Sequence, residues 1–154
     1  MVVPSSLQSP KFLESCPQFL PSGSPCSRLE ELLISKCNQF HRLPDGLGEL
    51  LPFLRKVALY GCESLVELPP SVTSLTRLET LAVANCSRLS SLPRNLGRLP
   101  ALKVLVLQYL PLSALPNSFC HLTSLQTLTL MSCNKLSWLP AGFGRLTALK
   151  SFFV

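Results

Sequence analysis

The sequence predicts an α/β repeat solenoid: strand-plus-return-leg units stacked into a right-handed superhelix with one concave parallel β-sheet. Three observations predict it. Leu43-Pro44, Leu68-Pro69, Leu92-Pro93, Leu115-Pro116 and Leu139-Pro140 recur at intervals of 25, 24, 23 and 24 residues. The leucines that open each unit, Leu29, Leu54, Leu78, Leu102, Leu125 and Leu149, keep the same beat. The 14 prolines in 154 residues exclude a fold of long helices, because an internal proline removes a donor and clashes with the preceding turn. Self-similarity at a fixed period of this size is the mark of a repeat architecture.

Each unit is read in order. In the third, Leu81 and Val83 stand two apart after Leu78, the spacing that puts both side chains on one face of a strand. The step then changes to three, through Cys86, Leu89 and Leu92, which suits an extended or 3₁₀-like return path. Pro93 fixes its own φ, and Leu96-Gly97-x-Leu99 predicts a short helical turn closed by the glycine. The fifth unit repeats the pattern through Leu125, Leu128, Leu130, Cys133, Leu136, Leu139, Pro140, Phe143, Gly144 and Leu146. A single unit cannot bury its own leucines, so neighbours must stack. Parallel strands joined by a crossover leg give the right hand.

The departures lie outside the strands. The first unit carries an extra residue within 50–54, and the fourth is one residue short, with Leu110 where others have cysteine. Loops absorb such changes. Residues 29–154 are assigned five repeats and a truncated sixth. Residues 1–28 are assigned a degenerate N-terminal repeat or flank, since Leu13, Cys16 and Phe19 keep part of the pattern among Pro4, Pro10, Pro17 and Pro25. A solenoid needs polar caps, and the run Leu149, Phe152, Val154 carries none, so a fragment or a truncated product is expected.

Charge is uneven. Residues 80–154 carry seven basic side chains and no acidic one, whereas the first 79 are close to neutral. The basic residues stand singly, without interleaved aromatics, so a solvated face is expected rather than a surface for nucleic acid or membrane. No apolar run approaches the roughly 18 residues of a spanning helix. The start lacks a basic n-region and is broken by Pro4 and Pro10, unlike a signal peptide. Seven cysteines without a C-x-x-C pair point to a reducing compartment.

The side chains with chemical potential do not converge. Cys37, Cys62, Cys86 and Cys133 occupy one repeat position, so they form a ladder with steps near 4.8 Å, while zinc needs ligands about 2.3 Å from one point. His41 and His121 fall on return legs of different units. No catalytic residue, metal or cofactor is expected. Alternation sends Glu31, Leu33, Ser35 and Lys36, then Lys56, Ala58, Tyr60 and Gly61, then Thr80, Ala82, Ala84 and Asn85 onto the concave face. Val104, Val106, Gln108 and Tyr109, with Thr127, Thr129, Met131 and Ser132, continue it. Tyrosine and methionine favour protein interfaces, so Lys36, Lys56, Tyr60, Asn85, Gln108, Tyr109 and Met131 are the candidate protein-binding residues. One further pattern concerns the residue after each opening leucine: Glu30, Arg55, Glu79, Lys103, Gln126, Lys150. Its signs alternate through four units, which predicts ion pairs between neighbouring turns.

The quoted pattern, L-x-x-L-x-L-x-x-C-x-x-L-x-x-L-P-x-x-L-G-x-L, resembles the leucine-rich repeats of plant intracellular nucleotide-binding disease-resistance proteins. The resemblance covers residues 29–154. Ras-scaffold-type intracellular repeat proteins share the Leu-Pro and the glycine four residues on. The G-x-x-x-x-G-K-[ST] run that cradles phosphate in the immune receptors' nucleotide-binding domain is not in this sequence. The resemblance therefore implies the sensing or autoinhibitory part of such a receptor: cytoplasmic, monomeric, and binding a protein ligand or other domains of the same receptor. An intracellular signalling scaffold is the alternative.

Overall fold

The computed structural model describes residues 28–38 and 41–154, so the expected degenerate unit at 1–28 lies outside the described residues save for Arg28. Six strands follow the predicted beat: β1 Glu31–Ser35, β2 Lys56–Tyr60, β3 Thr80–Ala84, β4 Val104–Gln108, β5 Thr127–Thr129 and β6 Ser151–Phe153. They form one parallel sheet in chain order. Equivalent positions pair, as in Leu81 with Leu105 and Val83 with Leu107, because the length changes fall outside the strands and each strand comes back in register. This is a leucine-rich-repeat solenoid.

The sheet ladder begins one residue before each strand. The Arg55 N–H donates to the Glu30 carbonyl at 2.8 Å, Glu79 to Arg55 at 2.8 Å, and Lys103 to Glu79 at 2.8 Å. Gln126 and Lys150 continue the series. At the other end, the residue after each of the first four strands turns left-handed, at Lys36, Gly61, Asn85 and Tyr109, as does Ser132 three residues beyond β5. That turn aims the N–H of Lys36 at the Tyr60 carbonyl and that of Tyr109 at the Met131 carbonyl, 2.7 and 3.0 Å away. Only Gly61 takes this conformation without steric cost.

The core is a set of continuous columns. Leu32, Val57, Leu81, Leu105 and Leu128 form one, and Ile34, Leu59, Val83, Leu107 and Leu130 the next. The ladder Cys37, Cys62, Cys86, Leu110 and Cys133 is buried throughout. Leu43, Leu68, Leu92 and Leu115 line the return side, whereas Leu139 is exposed in the last complete unit. β6 is the edge strand, with Phe152 and Phe153 exposed.

The return legs carry short 3₁₀ turns at Pro70–Ser74, Leu96–Arg98, Asn117–His121 and Phe143–Arg145. The first unit instead has a single α-helical turn, α1 Leu47–Leu50. An i→i+4 bond spans one residue more than an i→i+3 bond, and α1 accommodates the extra residue of this unit. The glycines do not close these turns as predicted. Gly97 sits inside its turn, and a Cβ there would lie 1.9 Å from the Ser118 carbonyl oxygen. Its N–H instead accepts the approach of the next leg by donating to Ser118 Oγ at 3.1 Å. A Cβ on Gly48 would lie 2.6 Å from Ser74 Cβ. These glycines set the distance between return legs.

Candidate interaction surface

The open face of the sheet has a floor and two borders. The floor is built from alternate strand residues, and the smaller ones are sunk rather than displayed. Ala58, Ala82 and Ala84 are 1%, 4% and 3% exposed, and Thr129 is 8% exposed. Sequence alternation put them on this face but not at its surface. Adjacent parallel strands lie about 4.8 Å apart, so a methyl group is covered by its larger neighbours. Leu33 and Val106 are partly covered.

The border at the N-terminal ends of the strands is ionic. Glu79 accepts bonds from Arg55 on one side, Nε at 3.0 Å, and from Lys103 Nζ on the other at 2.8 Å. Arg55 Nη2 makes a further contact with Glu79 Oε1. Lys103 first and Arg55 second hold the Glu79 carboxyl down to about 2. Lys56 pairs with Glu31 at 3.3 Å, one step further onto the face. Arg42 and Glu67 pair at 3.4 Å on the return side, an ion pair the sequence reading missed. It was legible in principle, since both follow the same unit spacing.

The opposite border carries most of the predicted binding residues. Lys56, Tyr60 and Gln108 lie within strands, while Lys36, Asn85 and Tyr109 occupy the left-handed turns just beyond them. These three therefore stand on the rim and not on the sheet face proper. Met131 lies just past β5 and is exposed, and its Sδ accepts from Gln108 Nε2 at 3.5 Å. Tyr109 is 56% exposed and Tyr60 39%. Gln108, Tyr109 and Met131 thus come together at units four and five. Lys36 and Asn85 belong to other units along this border, whereas Lys56 opens β2 on the ionic side.

The rim is not level. In units two, three and five the leucine after the cysteine closes a turn, as in Leu89 N–H to the Cys86 carbonyl at 3.1 Å and Leu136 to Cys133 at 2.9 Å. Unit four has Leu110-Pro111-Leu112, one residue too few for that turn. A notch of about 300 Å³ results, lined by Ser87, Tyr109, Leu110, Pro111, Ser132, Asn134 and Lys135. The missing residue was visible in the sequence; the shallow notch was not, because it is lined by residues of three successive units.

The thiols behave as buried space-fillers with weak hydrogen bonds. Cys86 Sγ donates to the Ala84 carbonyl and Cys133 Sγ to that of Leu107, both at 3.5 Å. The bond with Cys86 and then burial push the Cys62 thiol up, and burial pushes Cys133 up. Raised in this way, Cys62 and Cys133 are poor nucleophiles. Cys37, Cys62, Cys86, Cys120 and Cys133 are all buried and outside any disulfide. His41 and His121 are exposed on separate legs. Among the described residues no helix is long and apolar enough to cross a membrane.

No protein-family model matches the chain. No curated protein matches it either. Among solved structures, it is similar to the leucine-rich repeat domain of the type III effector XopL. That match has 21% identity and a TM-score of 0.46, over 83% of this chain and 69% of the other. It is also similar to the plant peptide hormone receptor RGFR1, solved in complex with RGF2, at 17% identity and a TM-score of 0.39. That match covers 82% of this chain and 32% of the receptor, so the chain spans about a third of that protein's length.

Proposed function

We propose that this chain is a protein-binding module without catalytic activity, docking its partner along the open sheet face and its C-terminal rim. One observation carries the reading. Tyr60, Tyr109 and Met131 are large, apolar and exposed along one border of a sheet whose floor is otherwise sealed by small side chains. Exposed aromatic and methionine side chains on a rigid scaffold are what partner surfaces are made of. Five buried thiols outside any disulfide support a cytoplasmic, reducing setting. The repeat pattern supports the sensing or autoinhibitory part of a plant intracellular immune receptor, acting as one copy. Its partner is then a protein ligand or the receptor's own nucleotide-binding domain.

Two experiments test this. The gene upstream of the chain is read for an in-frame nucleotide-binding domain with G-x-x-x-x-G-K-[ST]; a frame without one removes the receptor reading. If the domain is found, it is co-expressed with the chain and the complex is measured by calorimetry. Tyr60→Ala with Met131→Ala is expected to weaken the complex at least about tenfold, as hot-spot aromatic and methionine side chains do. An unchanged affinity with native circular dichroism removes the sheet face from the interface.

A further inference from the structure

The notch in unit four has a shape and a charge of its own. Its walls are the two flanking turns, Ser87 on one side and Asn134-Lys135 on the other. Leu110 and Pro111 form its base, and Tyr109 stands beside it. Shortening is confined to the one step between Leu110 and Leu112, while β4 keeps full register with β3. The gap therefore affects the rim and leaves the stack intact.

Tyr109 adds an independent observation. It holds φ at +53° with its side chain mostly in solvent, although a bulky residue is strained there. The same turn holds Gly61 in unit two and the polar Lys36, Asn85 and Ser132 in the others, so unit four alone places an aromatic ring there. The only backbone bond made by the turn, N–H to the Met131 carbonyl, requires no particular side chain. An exposed aromatic kept at a conformational cost points to use of the ring.

Charge selects the occupant. Residues 80–154 hold seven basic side chains and no acidic one, and the one carboxylate that reaches into this half, Glu79, is already shared by Arg55 and Lys103. Among the described residues no carboxylate lies within ion-pair distance of Lys135. We infer that the notch is a subsite for an acidic, extended segment of a partner protein: an aliphatic or proline side chain seats over Pro111 against the Tyr109 ring, and a neighbouring carboxylate meets Lys135. Ser87, Ser132 and Asn134, which also line the notch, supply polar groups for the segment's backbone. This rests on the protein-binding reading above and gives it a partner chemistry.

The test is a titration of the ¹⁵N-labelled full chain with two capped hexapeptides. One alternates aspartate with leucine and proline; the other has lysine at each aspartate position. The acidic peptide is expected to shift the amides of Ser87, Tyr109, Ser132, Asn134 and Lys135, and the basic peptide to leave them in place. Lys135→Glu is expected to weaken the acidic peptide roughly five- to tenfold, and Lys150→Glu, of equal charge change, less than about twofold. Inserting one serine between Leu110 and Pro111, which restores the length of units three and five, is expected to abolish binding. Should the insertion fail to fold, Tyr109→Gly relieves the left-handed turn and is expected to retain the fold while losing the peptide. Absence of shifts at millimolar peptide, or equal losses in Lys135→Glu and Lys150→Glu, overturns the subsite. Binding that survives both the insertion and Tyr109→Gly does so too. Shifts confined to Ala82, Val106 and Thr129 overturn the subsite but leave the sheet-face reading standing.

Discussion

At the scale of the residue, identical positions in the repeat meet different surroundings. Gly97 faces the Ser118 carbonyl so closely that no Cβ fits, whereas nothing lies within 4 Å of a Cβ built on Gly144. Gly97→Ala is therefore expected to cost about 1–3 kcal/mol, through forced separation of two return legs. Gly144→Ala, at a turn with open space, is expected to be neutral or to gain roughly 0.4–1 kcal/mol by restricting the unfolded chain. Urea denaturation of the two variants gives the comparison, and equal losses would contradict the close approach at Gly97. The cysteine ladder allows a second contrast. Cys86 is fully buried and makes only weak bonds, to the Ala84 carbonyl and with the Cys62 thiol, so Cys86→Ala removes little beyond volume. Cys86→Asp places a carboxylate in an apolar column with no cation beside it and is expected to cost about 3–5 kcal/mol. A Cys86→Asp protein that melts like the parent would show the ladder to be wetter than its burial indicates.

At the scale of the element, the ionic border couples three successive turns through one carboxylate. Glu79 sits at the centre, so its pairs with Arg55 and Lys103 are alternatives for some of the same charge. Their double-mutant cycles are not expected to add, because the two pairs share a partner. The carboxyl is held at about 2, below its ordinary value of 4.5. A depressed folded-state pKa means that the unfolded chain binds the proton more readily. The stabilisation is thus complete above about pH 4.5 and is lost as pH falls towards 2. Glu79→Gln is expected to flatten this part of the stability–pH curve, with wild type and variant converging at the acid end. High salt is expected to shrink the difference, since both pairs are solvent-facing. Parallel curves for the two proteins across this range would remove Glu79 as the titrating group.

At the scale of the whole molecule, the stack holds because every unit lends one apolar face to each neighbour. Leu105 is fully buried between Leu81 and Leu128 in register. Leucine burial contributes about 1.5–3 kcal/mol per side chain, so a column of five outweighs any surface pair. Leu105→Glu is expected to unfold units on both sides, because stability in a solenoid passes through nearest-neighbour interfaces. Loss of the cooperative melting transition in calorimetry is the readout. A folded Leu105→Glu protein with the parent's melting curve would mean that the strand register is wrong.

The repeat period determined the strands, their order and their pairing, since units of nearly equal length leave one way to bury every leucine at once. Sign alternation at Arg55, Glu79 and Lys103 likewise specified pairs that the structure contains. Three matters were decided only by the assembled solenoid. Alternation gave the face of Ala58, Ala82 and Ala84 but not their burial, which depends on the size of side chains on adjacent strands. It placed Lys36, Asn85 and Tyr109 with the face residues, whereas a left-handed turn, fixed by the bond to the next unit, moves them to the rim. The role of Gly97 was also hidden, because a glycine required by a neighbour 21 residues away looks the same in sequence as one required by its own φ. Periodicity encodes what repeats; the distances between neighbouring units, and the places where one unit is shorter than those beside it, take physical form only when the units are stacked.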